Sequence, residues 1–149
     1  AEERIASAER LARSRRIQVS TFEFEIEQSY TAKTILALKQ KYPFHRFVWL
    51  MGADNLEQIP HWYRWRDIFN EVPVAVFDRP GHTLKALSGK AAHLNARNRI
   101  FSPGFNRPVR NFALQTPPAW TFISHTKHKL SSTAIRNLDD NAGKACPRS

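Results

Sequence analysis

The 149-residue sequence predicts an α/β protein built on a doubly wound parallel sheet. Two observations predict this class. Short apolar segments alternate along the chain with segments of helical spacing, as in successive βα units. The later apolar segments are continuous rather than alternating, which is typical of strands buried on both faces of a parallel sheet. The length suits one domain with a hydrophobic core and hardly allows two.

The first part of the chain predicts a helix, a strand and a second helix. The first helix is indicated by four apolar residues on one helical face, namely Ile5, Ala8, Leu11 and Ala12. Residues 16–27, "RIQVSTFEFEIE", are rich in β-branched and aromatic residues that partly alternate, and we predict a strand in the first half of this segment. Residues 29–43 have helical spacing, and Pro43 ends that helix.

The middle of the chain predicts two buried strands around an interrupted helix. Residues 46–52, "RFVWLMG", are apolar almost throughout, and residues 72–81 form a second apolar strand closed by a Pro-Gly turn. Between them, residues 55–69 carry apolar side chains at helical intervals, with Pro60 interrupting the pattern. Trp65 and Phe69 are four positions apart, so we expect both in the core.

The remainder predicts a modest helix at residues 83–97, then a long irregular connection at residues 98–118 that contains four prolines. Residues 119–124, "AWTFIS", predict a last strand, and residues 131–140, "SSTAIRNLDD", a last helix. We therefore expect a domain at residues 1–140 and a flexible tail at residues 141–149.

Polar residues follow three of the predicted strands. Ligands bind at the carboxyl ends of the strands in parallel α/β sheets, so these residues are candidates for a site. Gly52 permits close approach of a ligand to the backbone, and Asp54 suits hydrogen bonding to ribose hydroxyls. The alternative is that Asp54 or Asn55 only caps the following helix. Asp78 and Arg79 follow the next strand in the same way.

Two further segments have a functional and a purely structural interpretation. The segment "HKLSSTAIR" places hydroxyls and cations at a predicted helix start, where backbone N–H groups favour phosphate; the alternative is ordinary capping by Ser131 or Ser132. Trp62 and Tyr63 are adjacent and cannot share one helical face, so one of them should reach a cleft or solvent. An indole there suits stacking on an aromatic base, although partial burial against Pro60 fits equally well.

The net charge of the sequence favours negatively charged partners but does not decide among them. Lys and Arg number 23 against 13 Asp and Glu, a net charge of +10 that attracts nucleic acid, acidic membrane or phosphorylated small molecules. No apolar run reaches the length of a membrane span, and the N-terminus has no signal-peptide pattern. The single cysteine, Cys146, excludes an internal disulfide and fits a reducing compartment. His125 and His128 have no carboxylate spaced to complete a metal site.

Four motifs, "YTAKT", "GADNL…HWYRW", "DRPG" and "SSTAIR", occur in an order and spacing that resemble bacterial nicotinate mononucleotide adenylyltransferase. The resemblance covers residue 1 to about residue 140. It implies a Rossmann-like nucleotidyltransferase fold in the cytoplasm, with ATP as a substrate and Mg²⁺ as a cofactor. The implied reaction transfers the adenylyl group of ATP to nicotinate mononucleotide, giving nicotinate adenine dinucleotide and pyrophosphate. The implied partners are small-molecule nucleotides; the oligomeric state stays open.

The resemblance also implies roles for individual residues. Thr31 and the backbone at Tyr63 would recognise the nicotinate carboxylate, and Trp62 would stack on the pyridine ring. ATP would be bound by residues of the second and the last motif, namely Gly52, Asp54, Ser131, Ser132, Thr133 and Arg136. No side chain is implied as a covalent catalyst or as a metal ligand.

The sequence departs from the family at its start. The family begins with a strand leading into a Gly-x-Phe-Asp/Asn-Pro…His-x-Gly-His segment, which this chain does not contain; "GFNRP" at residues 104–108 is out of place and is read as coincidence. We therefore expect an N-terminally incomplete domain without its first strand, whose own activity is open. Two alternatives remain: a related adenylyltransferase with another mononucleotide acceptor, and a basic nucleic-acid-binding module.

Overall fold

The computed structural model describes residues 2–12, 14–26, 30–101 and 109–124. In these ranges the helices are α1 (Glu2–Leu11), α2 (Phe22–Glu25), α3 (Thr31–Lys41), α4 (Ala53–Gln58), α5 (Trp65–Glu71), α6 (Thr83–Ser88) and α7 (Lys90–Leu94). The strands are β1 (Trp49–Gly52), β2 (Val74–Phe77) and β3 (Trp120–Ile123). Short 3₁₀ turns lie at Ile59–His61, Ala96–Asn98 and Phe112–Leu114. The predicted last helix, the tail and the "GFNRP" segment lie outside the described residues.

The three strands form one parallel sheet in the order β1-β2-β3. Their register is even: Trp49 pairs with Val74, which pairs with Trp120, and Gly52 is level with Phe77 and Ile123 at the other end. The α/β class with a parallel sheet is thus confirmed. Because the strands end at the same level, the residues that follow them leave the sheet along one edge.

The core lies between this sheet and the helices packed on it. β2 is the central strand, and its Val74 and Val76 are completely buried. α3 packs against α5, while α4 packs against α6 and α7. The predicted core residues Trp65 and Phe69 are both buried, with their rings edge to face at a centroid distance of 6.1 Å. Pro60 interrupts the helical pattern as predicted, and the chain passes from α4 through a 3₁₀ turn before α5 begins.

The prediction of a strand in the first half of residues 16–27 is wrong. The chain is irregular from residue 17 to residue 21 and then forms α2. Phe22 is buried, and the ammonium of Lys41, on α3, lies 4.8 Å from its ring centroid while forming an ion pair of 3.0 Å with Glu25. In the described part of the chain no strand runs beside this segment, so its backbone has no neighbouring strand with which to form sheet hydrogen bonds.

Two other predictions need correction in detail. β1 is not buried on both faces, because Leu50 is 59% exposed. The single helix predicted at residues 83–97 is two helices, because Gly89 has an extended conformation (φ −72°, ψ 163°) that ends α6 and serves as the N-cap of α7. None of the helices within the described ranges is both long and apolar enough to cross a membrane.

Candidate active site

The carboxyl-terminal edge of the sheet carries a group of polar residues. β1 ends at Gly52 and β2 ends at Phe77, directly before Asp78 and Arg79. Asp78 is fixed at this edge in two ways: its backbone N–H donates to the carbonyl of Ile123 at 2.9 Å, and its carboxylate accepts a hydrogen bond from the Thr83 hydroxyl. The sheet therefore brings the ends of all three strands together, as the parallel topology predicts.

Asp54 and Arg79 meet at this edge. Asp54 lies in the first turn of α4, and its Oδ1 is 3.3 Å from Nε of Arg79, which follows β2. This carboxylate oxygen is buried, yet it accepts no hydrogen bond from any described residue. Its partner is the guanidinium of Arg79, and the Asp54 side chain as a whole is 25% exposed, so the carboxylate group can also accept a hydrogen bond from a ligand hydroxyl. The sequence places Arg79 among the candidate residues at the strand ends but assigns it no ligand.

Gly52 occupies the N-cap position of α4, so neither Asp54 nor Asn55 caps that helix. The backbone of Gly52 is extended (φ −81°, ψ 160°), a conformation open to any residue. The need for glycine is steric instead. A Cβ atom there would lie 2.7 Å from Nε of Arg79 and would also collide with Oδ1 of Asp54. Gly52 therefore lets these two side chains lie across the end of β1.

A second group of residues forms where the start of α3 meets the loop before α5. The rings of Tyr30 and Tyr63 are in contact, with centroids 4.7 Å apart and planes inclined by 37°. Tyr30 directly precedes Thr31, the first residue of α3, and Tyr63 directly follows Trp62, so this contact joins the two segments. Thr31 is half-buried and Tyr63 is 46% exposed. The structure thus places the segment that begins α3 against the segment that contains Tyr63, while the roles of Thr31, Trp62 and Tyr63 stay predictions.

The loop that holds Trp62 and Tyr63 is shaped by two local features. The N–H of Trp62 donates to the carbonyl of Ile59 at 2.9 Å, which closes the 3₁₀ turn. Arg64 then takes a left-handed conformation (φ 47°) and pairs with Asp67, whose hydrogen bond and charge raise the pKa of Arg64. Trp62 is half-buried and packs against the core, which supports the partial-burial alternative and leaves part of the residue exposed.

Four of the predicted ATP-binding residues are not placed. Ser131, Ser132, Thr133 and Arg136 lie outside the described residues, as do His125 and His128. Within the described ranges, no cluster of three or more His, Cys, Asp or Glu side chains could hold a metal ion. The described residues thus form two groups, one around Asp54 and Arg79 at the strand ends and one around Thr31 and Tyr63 where α3 meets the loop before α5; α4 and the 3₁₀ turn that follows it join them along the chain.

A cavity of about 160 Å³ lies at the opposite, amino-terminal end of the sheet. Its wall includes residues that precede the strands, such as Phe47, Pro73 and Pro117, together with Lys39 and Arg46. Parallel sheets bind their ligands at the carboxyl ends of the strands, so we assign the site to the edge that carries Asp54 rather than to this cavity.

Comparison with known proteins found a family model and several curated relatives. A family model described as cytidylyltransferase-like matches residues 1–138. The chain is 46% identical over 133 residues to the "Probable nicotinate-nucleotide adenylyltransferase" of Gluconobacter oxydans (strain 621H), covering 89% of this chain and 66% of that protein. It is 44% identical over 136 residues to the protein of the same name from Agrobacterium fabrum, covering 91% and 71%. It is 45% identical over 139 residues to the protein of the same name from Parvibaculum lavamentivorans, covering 89% of this chain and 64% of that protein. The chain thus spans about two thirds of the length of these curated relatives.

Proposed function

We infer the function from one premise: the chain belongs to the cytidylyltransferase-like family with its Rossmann-like α/β fold and, within it, to the nicotinate-nucleotide adenylyltransferases. We propose that it transfers the adenylyl group of ATP to nicotinate mononucleotide. The products are nicotinate adenine dinucleotide and pyrophosphate, a step in NAD biosynthesis. The single cysteine fits the cytoplasm, which is where we place this reaction.

The observation that carries the proposal is the carboxylate of Asp54, which its ion pair with Arg79 holds at the end of β1. The Asp54 side chain is 25% exposed, and a carboxylate accepts hydrogen bonds from ribose hydroxyls such as those of ATP. Gly52 beside it presents backbone without a side chain, so that the adenosine can approach closely. We propose that these two residues bind the adenosine of ATP and that Arg79 lies close enough to assist.

The acceptor nucleotide would bind at the second group of residues. We propose that Trp62 stacks on the pyridine ring, since its side chain packs against the core and is only partly buried there. The hydroxyl of Thr31 and the backbone of Tyr63 would bind the carboxylate of nicotinate. The contact between Tyr30 and Tyr63 supports this assignment, because it holds the two segments against each other.

The triphosphate would be bound by Ser131, Ser132, Thr133 and Arg136. Hydroxyl groups and a guanidinium supply the donors and the positive charge that phosphate oxygens require. In the proposed reaction an oxygen of the nicotinate mononucleotide phosphate attacks the α-phosphorus of ATP in line. The new P–O bond forms as the bond to pyrophosphate breaks, with no covalent intermediate on the protein.

The chain's contribution is alignment of the two nucleotides and neutralisation of phosphate charge. Mg²⁺, held mainly by phosphate oxygens and water, would add further charge stabilisation. Asp54 and Gly52 would fix the adenosine, Trp62 and Thr31 the pyridine ring, and Arg136 the phosphates. Each of these residues orients substrate or offsets charge, so each should affect turnover far more than folding.

The test is direct assay of the protein expressed from its complete reading frame with ATP, Mg²⁺ and nicotinate mononucleotide. Formation of nicotinate adenine dinucleotide in step with pyrophosphate would support the proposal, and no product with a well-folded protein would end it. An Arg136→Ala variant should lose most turnover while its melting temperature hardly changes. Full activity in an Arg136→Ala protein of reduced stability would contradict the phosphate-binding role.

A further inference from the structure

Lys33 lies in the first turn of α3 with its ammonium beside two aromatic rings that contact each other. Its Nζ is 5.6 Å from the ring centroid of Tyr30 and also 5.6 Å from that of Tyr63. The two other lysines of α3 are both paired with acids: Lys39 with Glu71 at 2.7 Å, and Lys41 with Glu25 at 3.0 Å. Within the described ranges no carboxylate pairs with Lys33 in this way.

The rings give this lysine a defined position without neutralising its charge. An ammonium is attracted to the negative face of an aromatic ring, and two rings restrict a side chain that would otherwise sample many rotamers. A ring does not take a hydrogen from the ammonium, so all three N–H donors and the full positive charge stay available to a ligand. The arrangement therefore presents a positioned cation on the surface of the protein.

The position of this cation is significant for the acceptor nucleotide. Tyr30 directly precedes Thr31, and Tyr63 directly follows Trp62. Lys33 therefore lies beside both segments that we assign to the pyridine group. Nicotinate and nicotinamide mononucleotides differ in one feature only: the first carries a carboxylate where the second carries a neutral amide. A fixed positive charge distinguishes between these two groups, whereas an aromatic stack does not.

We propose that Lys33 is a specificity-determining residue that favours the acid mononucleotide over the amide. The assignment rests on the proposed function and adds to it the residue that selects the acceptor. For unit charges separated by roughly 7 Å, Coulomb's law gives a preference of about 3-fold in the dielectric of water and about 50-fold in that of a protein surface. We therefore expect a contribution of about tenfold from the charge of Lys33.

The experiment compares four forms of the protein expressed from its complete reading frame: wild type, Lys33→Gln, Lys33→Arg and Lys39→Gln. Gln keeps part of the stem on the rings and removes the charge, while Arg restores the charge. Lys39→Gln removes a charge of the same sign from the same helix, about 9 Å further along its axis. The measurement is kcat/KM for adenylyl transfer to each of the two mononucleotides.

We expect Lys33→Gln to lower kcat/KM for nicotinate mononucleotide about tenfold and to leave the value for nicotinamide mononucleotide within about twofold. Lys33→Arg should recover most of the loss, and Lys39→Gln should leave the ratio of the two values unchanged. The proposal is overturned if Lys33→Gln leaves that ratio unchanged, whether both rates fall together or neither falls. It is also overturned if Lys39→Gln changes the ratio as much as Lys33→Gln does.

Equilibrium binding separates failure of this proposal from failure of the proposed function. Calorimetric titration of each mononucleotide into the same four proteins needs no turnover. If wild type binds the acid more tightly and Lys33→Gln loses that preference, yet no dinucleotide forms, the function is wrong and the role of Lys33 stands. If dinucleotide forms and neither measurement shows a change in preference, only the role of Lys33 is wrong. If wild type binds neither mononucleotide, both are wrong.

Discussion

The substitution Gly52→Ala tests whether the end of β1 is a binding surface or only the start of a helix. The added methyl group would lie 2.7 Å from Nε and 3.3 Å from Cδ of Arg79, and it would also collide with Oδ1 of Asp54. The colliding atoms of Arg79 and Asp54 all belong to side chains, which can move aside more easily than backbone can. The expected result is displacement of Asp54 and Arg79 from each other, with the strand itself unchanged.

The effect on stability should be small, because opposing contributions are similar in size. The backbone at Gly52 is extended, so alanine adds no backbone strain there. It stabilises the folded state by about 0.4–1 kcal/mol because it lowers the conformational entropy of the unfolded chain. The partly exposed pair of Asp54 with Arg79 contributes about 0–1 kcal/mol, which the substitution removes. The net change in the free energy of unfolding is within about 1 kcal/mol, equivalent to about 2–4 °C in Tm.

The effect on ATP should be much larger. A hydrogen bond to a charged group contributes about 1.5–3 kcal/mol, so displacing the carboxylate of Asp54 should weaken ATP binding by about 10- to 100-fold. Thermal melting and calorimetric titration with ATP measure the two quantities on one preparation. Unchanged ATP affinity would refute the role of this strand end. A fall in Tm of more than about 10 °C would instead show that the region is structural.

The remaining predictions use the same two assays. Gly81→Ala is the opposite case to Gly52→Ala, because φ at Gly81 is +84° and nothing lies within 4 Å of the added Cβ. Backbone strain should therefore lower the free energy of unfolding by about 1–2 kcal/mol and leave ATP affinity unchanged. A large loss of ATP affinity would contradict this. Leu56→Ala, at a completely buried position, should cost about 3 kcal/mol and lower Tm by roughly 10 °C, and a shift below about 3 °C would contradict the assigned core. Trp62→Leu should weaken binding of the acid and amide mononucleotides alike, by about tenfold, because stacking does not depend on charge; loss of the acid alone would argue against stacking.

The parts of the fold that could be predicted from sequence depend on short-range chemistry. Helix α3 follows from its spacing and from Pro43 beyond its end, and the break between α4 and α5 follows from Pro60. β2 and β3 are short apolar runs bounded by turn residues, and both are almost fully buried. In these cases the residues that decide the structure lie within a few positions of each other, so a local pattern is sufficient.

The failures have the opposite character, because the deciding partner is distant in the chain. Residues 16–27 have the composition of a strand, but a strand also needs a neighbour to receive its hydrogen bonds. Phe22 instead packs under Lys41, a contact that periodicity does not show. The exposure of Leu50 likewise depends on what covers that face of the sheet at β1, since an apolar run looks the same whether or not another element packs on it.

The two groups of the candidate site differ in the same respect, and this has a consequence for specificity. The group around Asp54 follows from the sheet register, so it is tied to buried residues and could be anticipated from the strand ends. The group around Thr31 depends on a contact between two half-exposed rings, Tyr30 and Tyr63, with Lys33 over both. Surface residues can be replaced at little cost in stability. We therefore expect substitutions at Tyr30 and Lys33 to change acceptor preference at nearly constant Tm, and a Tyr30→Leu variant that instead unfolded the protein would contradict this division.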